Sequence, residues 1–209
     1  MKTNKILITL LLLPSESFAQ TVYELTPGTK SNEINLTVAN VSETNAASNV
    51  SVFLTRKSSA LSFSKETETI EQIEAKAEAE ASFTFDIERN APINKRDTIE
   101  FMISSLDGLM MTKSFIFSYT GPKEFKLEQN YPNPFNPTTT IQYQLPQDAR
   151  VTLKIYDILG SEVATLINEE QEAGYKEVQF TGSNIASGMY VYRLTAGDYV
   201  SVKKMMLLK

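Results

Sequence analysis

The chain has 209 residues, neither histidine nor cysteine, a formal net charge of −5 and a pI near 5.0. Without those residue types there is no imidazole base, no thiol nucleophile, no Cys/His zinc site and no disulfide framework. The acidic balance also argues against a nucleic-acid partner, which would want a basic face. The composition therefore predicts a non-enzymatic chain with no catalytic residues, no metal and no cofactor.

Residues 1–19 read as a secretory signal peptide. Lys2 and Lys5 supply the positive start, Ile6 to Leu13 the apolar stretch, and Pro14 breaks it. Ser17-Phe18-Ala19 then places small residues where a signal peptidase needs them, so the expected cut lies between Ala19 and Gln20. The apolar run is far shorter than the roughly 20 residues that cross a bilayer, and no later segment comes closer, so no transmembrane span is expected.

From there the dominant signal is period-two alternation, which puts one set of side chains on one face of a strand. Ile34, Leu36 and Val38 alternate with polar residues, and Val50, Val52 and Leu54 follow. Glu71 to Ala81 is helical by composition, being rich in Ala, Glu and Lys. Yet Ala77, Ala79, Ala81, Phe83, Phe85 and Ile87 share one parity, and that run predicts a strand from about Glu78. Ile99, Phe101 and Ile103 continue the pattern, Asp107-Gly108 is a hairpin turn signal, and Phe115, Phe117 and Tyr119 close the set. Several short strands with polar turns predict an Ig-like β-sandwich over residues 28–121.

Gly121-Pro122-Lys123 interrupts the pattern, and residues 122–126 read as a linker. A second β unit follows over 127–209: Ile141/Tyr143/Leu145, Val151/Leu153/Ile155, Val178/Phe180, Tyr190/Tyr192/Leu194 and Val200/Val202. Val163, Leu166 and Ile167 have helical spacing, which leaves Ser161 to Glu172 open between a strand with a loop and a helical turn. Gly160, Gly174, Gly182, Gly188 and Gly197 punctuate this half at turns. The fold class expected is all-β: two tandem Ig-like antiparallel β-sandwiches after a cleaved leader.

Asn130-Tyr-Pro-Asn-Pro-Phe-Asn-Pro-Thr138 holds Pro132, Pro134 and Pro137 within six residues. Each fixes its own φ and biases its predecessor toward extended geometry, which predicts a stiff, extended lead-in to a strand. Leu127 to Ile141 resembles the opening of the type A C-terminal sorting domain of the type IX secretion system. Val151-Thr-Leu-Lys-Ile-Tyr-Asp-Ile-Leu-Gly160, Ala186-Ser-Gly-Met-Tyr-Val-Tyr-Arg-Leu194 and Lys203-Lys-Met-Met-Leu-Leu-Lys209 are similar to its later strands and basic chain end. The same unit also resembles the Ig-like domain of the flagellar hook-cap protein. The resemblance implies that residues 127–209 are an address read by the type IX machinery. It implies further that a sortase-like peptidase removes them and attaches the cargo to surface polysaccharide or releases it. Its candidate signal residues are Pro132, Asn133, Pro134, Gly188, Tyr190, Gly197, Lys203 and Lys204. The location expected is secreted or cell surface, beyond the outer membrane.

Ile34 to Ser42 with Ala47 to Leu54 resembles the opening hairpin of Ig-like adhesion and carbohydrate-enzyme-associated modules, so the alternative is an adhesin or carbohydrate-binding module acting through the first domain. Glu66, Glu68, Glu71, Glu74, Glu78 and Glu80 are numerous enough to raise a glycosidase, but they alternate with the apolar face and read as solvated carboxylates. Asp86, Glu88, Asp97 and Glu100 lack calcium-loop spacing. Tyr143, Tyr156, Tyr175, Tyr190, Tyr192 and Tyr199 suit sugar stacking, although the parity of Tyr190 and Tyr192 with Leu194 favours core packing.

Overall fold

The computed structural model describes residues 5–10, 21–106, 108 and 110–209; the expected cleavage site at Ala19 and Gln20 lies outside the described residues, as does Asp107. Among the described residues there is no helix, and 63% are in strands. The chain divides into two units at Thr120/Gly121.

In the first unit, strands β1 (Lys5–Leu10), β3 (Asn32–Ala39), β7 (Glu78–Ile87) and β5 (Leu61–Phe63) form one sheet in that order. The facing sheet runs β2 (Val22–Leu25), β9 (Met110–Tyr119), β8 (Arg96–Ser104), β4 (Ala47–Arg56) and β6 (Thr67–Ile73). β1 and β2 pair in parallel with β3 and β9, and the other ladders are antiparallel. The described part of the expected leader is thus an edge strand on β3, and β2 begins before residue 28.

Alternation outweighs helix propensity at β7. Ala81, Phe83, Phe85 and Ile87 are buried while Glu78 and Glu80 face water. Phe83 meets Phe101 of the facing sheet with ring centroids 4.8 Å apart, within a core of aromatic and aliphatic side chains from the two inner faces.

In the second unit, β10 (Lys126–Leu127), β11 (Thr138–Leu145) and β14 (Gly174–Thr181) form a three-stranded sheet in that order. The second sheet runs β13 (Glu162–Gln171), β12 (Ala149–Tyr156), β15 (Gly188–Ala196) and β16 (Tyr199–Leu207). The inward residues Ile141, Tyr143, Leu145, Val151, Leu153, Ile155, Tyr192 and Leu194 make a core of this unit's own. Phe125, from the expected linker, stacks on Tyr199 at 5.4 Å and joins it.

One open reading is settled and one expectation needs correction. Ser161 to Glu172 contains a strand, and its helical spacing comes from two irregularities in pairing with β12. Leu153 pairs Ile167 and Lys154 pairs Thr165, which skips Leu166; Ile155 pairs Ala164 and Tyr156 pairs Glu162, which skips Val163. An extra residue at each bulge breaks the two-residue period. Val200 and Val202 point outward, because Met205 and Leu207 take the core and period two puts the even residues of β16 on the opposite face.

Candidate functional site

The signal candidates other than Gly197 gather at one end of the β15–β16 hairpin. Residues 130–137 do not run extended. They fold as bends between two bridges, Tyr131 to Thr140 and Phe135 to Leu207. The peptide bonds before Pro132, Pro134 and Pro137 are cis. This elbow lies along the outer edge of β16. The Phe135 N–H donates to the Met206 carbonyl at 2.9 Å, and the Leu208 N–H donates to the Phe135 carbonyl at 3.0 Å. Asn133 accepts the Met206 N–H at 2.9 Å through Oδ1, and Gln129 Nε2 donates to the Lys204 carbonyl at 2.7 Å. An edge strand that would otherwise offer free backbone groups is thereby covered from Lys204 to Leu208.

A buried polar cluster locks the elbow from behind. Asn130 Nδ2 donates to the Pro132 carbonyl at 3.1 Å and to Thr139 Oγ1 at 2.9 Å. Thr139 Oγ1 donates to the same Pro132 carbonyl at 2.8 Å. The Asn130 N–H donates to the Tyr192 hydroxyl at 2.9 Å, and that hydroxyl donates to the Glu128 carbonyl at 2.9 Å. Fully partnered, such a network specifies one geometry; with a member missing it strands buried groups.

Each candidate now has a place. Pro132, Asn133 and Pro134 form the elbow, and the Lys204 carbonyl lies beside it. Lys203 sits on the core-facing parity of β16 but remains half-exposed, while Lys204 is exposed on the outer face. Gly188 pairs Leu207 and Tyr190 pairs Met205, at the same end. Tyr190 is buried and its hydroxyl donates to the Ala186 carbonyl at 2.7 Å, so its role is to support the hairpin rather than to stack on a ligand. Gly197 stands apart, nine residue steps from Gly188, roughly 30 Å by strand rise. With φ +56° it starts the two-residue Gly197-Asp198 loop joining Ala196 to Tyr199, a turn that favours glycine.

Asn130, Thr139, Phe135 and Tyr192 were not among the expected site residues. Phe135 carried a signal, as a large apolar side chain set among three prolines and three asparagines; the partners of Asn130 are up to 62 residues away and had none. Of the six tyrosines, Tyr143, Tyr190 and Tyr192 are buried and turned away from any sugar, while Tyr156, Tyr175 and Tyr199 are half-buried. Glu66 and Glu68 pair with Lys57 and Lys65 at the surface. Among the described residues no group of three or more acidic, His or Cys side chains could hold a metal, and no helix is long and apolar enough to cross a membrane.

Burial pushes the Tyr192 hydroxyl up to about 12, offset in part by the N–H it accepts from Asn130, with the Glu128 charge adding to the rise. Burial likewise pushes Tyr143 up to about 12 against its bond to Gln171. Unfolded tyrosine titrates near 10, so between pH 10 and 12 the folded state holds protons that the unfolded chain has released. Stability is therefore intact below about pH 10 and falls above it, by about 1.4 kcal/mol per pH unit for each group. Tyr192→Phe should cost about 1–3 kcal/mol at pH 8, by stranding the Asn130 N–H and the Glu128 carbonyl. It should also roughly halve the alkaline slope, and urea titrations of the full chain at pH 8 to 11.5 check both.

Residues 129–208 match the family model described as a secretion system C-terminal sorting domain. No curated protein matches the chain. Among solved structures it is similar to dimeric latent PorU from Porphyromonas gingivalis, at 15% identity and TM-score 0.33 over 92% of this chain and 19% of that one. It is also similar to PorZ, a type IX surface component of the same organism, at 21% identity and TM-score 0.30 over 53% and 15%. The CupB2 chaperone of Pseudomonas aeruginosa matches at 11% identity and TM-score 0.33 over 88% and 97%. The chain thus spans about a fifth of the PorU chain. The second unit of this protein belongs to the type IX secretion C-terminal sorting domain family, and the protein is exported to the cell surface or secreted by way of the outer membrane.

Proposed function

We propose that the chain is a non-enzymatic exported protein whose first sandwich is the cargo and whose second is the element the type IX machinery reads. A signal peptide over residues 1–19 takes it across the inner membrane. A sortase-like peptidase then removes the second domain as the cargo is attached to surface polysaccharide or released. The observation that carries this reading is the docking of Pro132-Asn133-Pro134-Phe135 on β16. It gives the chain's basic end a fixed shape within a domain that has its own core.

Lys203 and Lys204 supply the positive charge at that end. Changing both to Gln keeps the strand and removes the charge. Export of the full chain should fall about tenfold, with protein accumulating in the periplasm and the thermal midpoint unchanged. Normal export of that variant would mean the lysines are not read.

A second reading rests on a groove of about 240 Å³ in the first domain, lined by Ser31, Ser62, Phe63, Ser64, Thr84 and Phe85, with Asp86 at its side. Phe63 stacks on Phe85 at 5.1 Å, so an aromatic ring stands among hydroxyls and a carboxylate, as in a sugar subsite. Saturable micromolar glycan binding by the full chain, lost in Phe63→Ala, would favour the adhesin reading.

A further inference from the structure

The apex of the β12–β13 hairpin is apolar and rigid, and nothing in the fold explains it. Ile158 and Leu159 are 73% and 86% exposed, although they are adjacent aliphatic residues at the tip of a tight turn. The turn is held by four hydrogen bonds. Asp157 Oδ1 accepts the N–H groups of Leu159 and Ser161, both at 2.9 Å. The Asp157 N–H donates to the Ser161 carbonyl at 3.0 Å, and the Gly160 N–H to the Asp157 carbonyl at 3.1 Å. Gly160 has φ +85°, which a side chain would strain. Behind the tip lies a shallow depression of about 360 Å³, lined by Tyr156, Val191, Arg193 and Val202. The outward side chain of Lys204 stands beside Val191, its register partner.

An apolar pair already fixed in place loses little freedom on binding. Of its flanking charged groups Arg193 and Lys204 are cationic, and Asp157 is the carboxylate lining the depression, with its Oδ1 taken up by the turn's own N–H groups. Membrane-surface elements use a broad apolar face, commonly with Trp or Phe, and two aliphatic side chains do not make one. A stable dimer would need about 20–30 residues a side, far more than this patch offers, whereas a transient contact with export machinery falls at the small end of interface size.

We propose that Ile158-Leu159 is a plug that seats in an apolar, acid-rimmed pocket of a protein of the export machinery, with Arg193 and Lys204 meeting the rim. This deepens the address reading and rests on it. The test compares export of the full chain with that of Ile158→Ser/Leu159→Ser and of Ile158→Val/Leu159→Met. The serine pair should leave the thermal midpoint in place and lower surface delivery at least tenfold. The Val/Met pair should restore it. Flotation with vesicles of phosphatidylethanolamine and phosphatidylglycerol at 3:1 should capture neither wild type nor variant. Normal export of the serine pair overturns the proposal, and so does equal loss in the Val/Met pair. Flotation of wild type but not of the serine pair overturns it in favour of lipid. Should the serine pair lower the midpoint, Leu159→Ser alone decides: at least threefold lower delivery supports the plug, and wild-type delivery overturns it. A control lacking residues 121–209 separates the two levels. If that control is exported, the address reading itself fails; if it is retained while the serine pair is exported, only the plug fails.

Discussion

Deleting Lys203 to Lys209 is expected to abolish the cooperative melt of the second domain while leaving that of the first in place. The deletion removes Met205 and Leu207, both fully buried, and ends the ladder that pairs Gly188 with Leu207 and Tyr190 with Met205. Loss of a buried Leu or Met side chain alone costs about 2–5 kcal/mol. It also takes away Met206 and Leu208, which receive and give the hydrogen bonds of Phe135, so the elbow loses its seat. A domain of this size has roughly 4–13 kcal/mol in total. Calorimetry of the full chain checks this: the transition of the first sandwich should persist because its core is separate. A surviving second transition would mean that the last strand is an appendage.

Phe135→Ala is expected to be the most damaging single change in the elbow, at about 3–5 kcal/mol. The ring is buried and packs against Phe180 at 6.0 Å, on the inner face of the opposite sheet. Both of its backbone groups pair with the last strand. Pro134→Ala, one residue away, touches the core less and should cost under about 1 kcal/mol. Urea titration of both variants measures the difference, and equal effects would mean that the elbow is held by proline stiffness rather than by the docked ring.

Much of the fold was legible because the chain alternates. Wherever apolar residues fall at every second position, as at Phe83/Phe85/Ile87 or Ile141/Tyr143/Leu145, only a strand buries them together. Alternation fails where the register slips: the bulges at Val163 and Leu166 imitate helical spacing, and the pattern cannot reveal a partner strand's irregularity. Val200 and Val202 misled for a related reason, since a strand with apolar residues on both parities does not declare its inner face. At the site, the proline run marked the elbow but not its direction. The docking of Phe135 on Leu207 joins residues 72 apart in the chain, and the Asn130–Tyr192 bond spans 62. Contacts of that separation leave no local pattern.

The central claim is that the second domain, by itself, carries export across the outer membrane. A secretory leader and a fluorescent reporter fused ahead of residues 121–209, expressed in a host with an intact type IX system, tests it most directly. The reporter should reach the cell surface or the medium, and the same reporter without residues 121–209 should remain in the periplasm. Equal delivery of the two would contradict the account and reduce the second sandwich to a structural module.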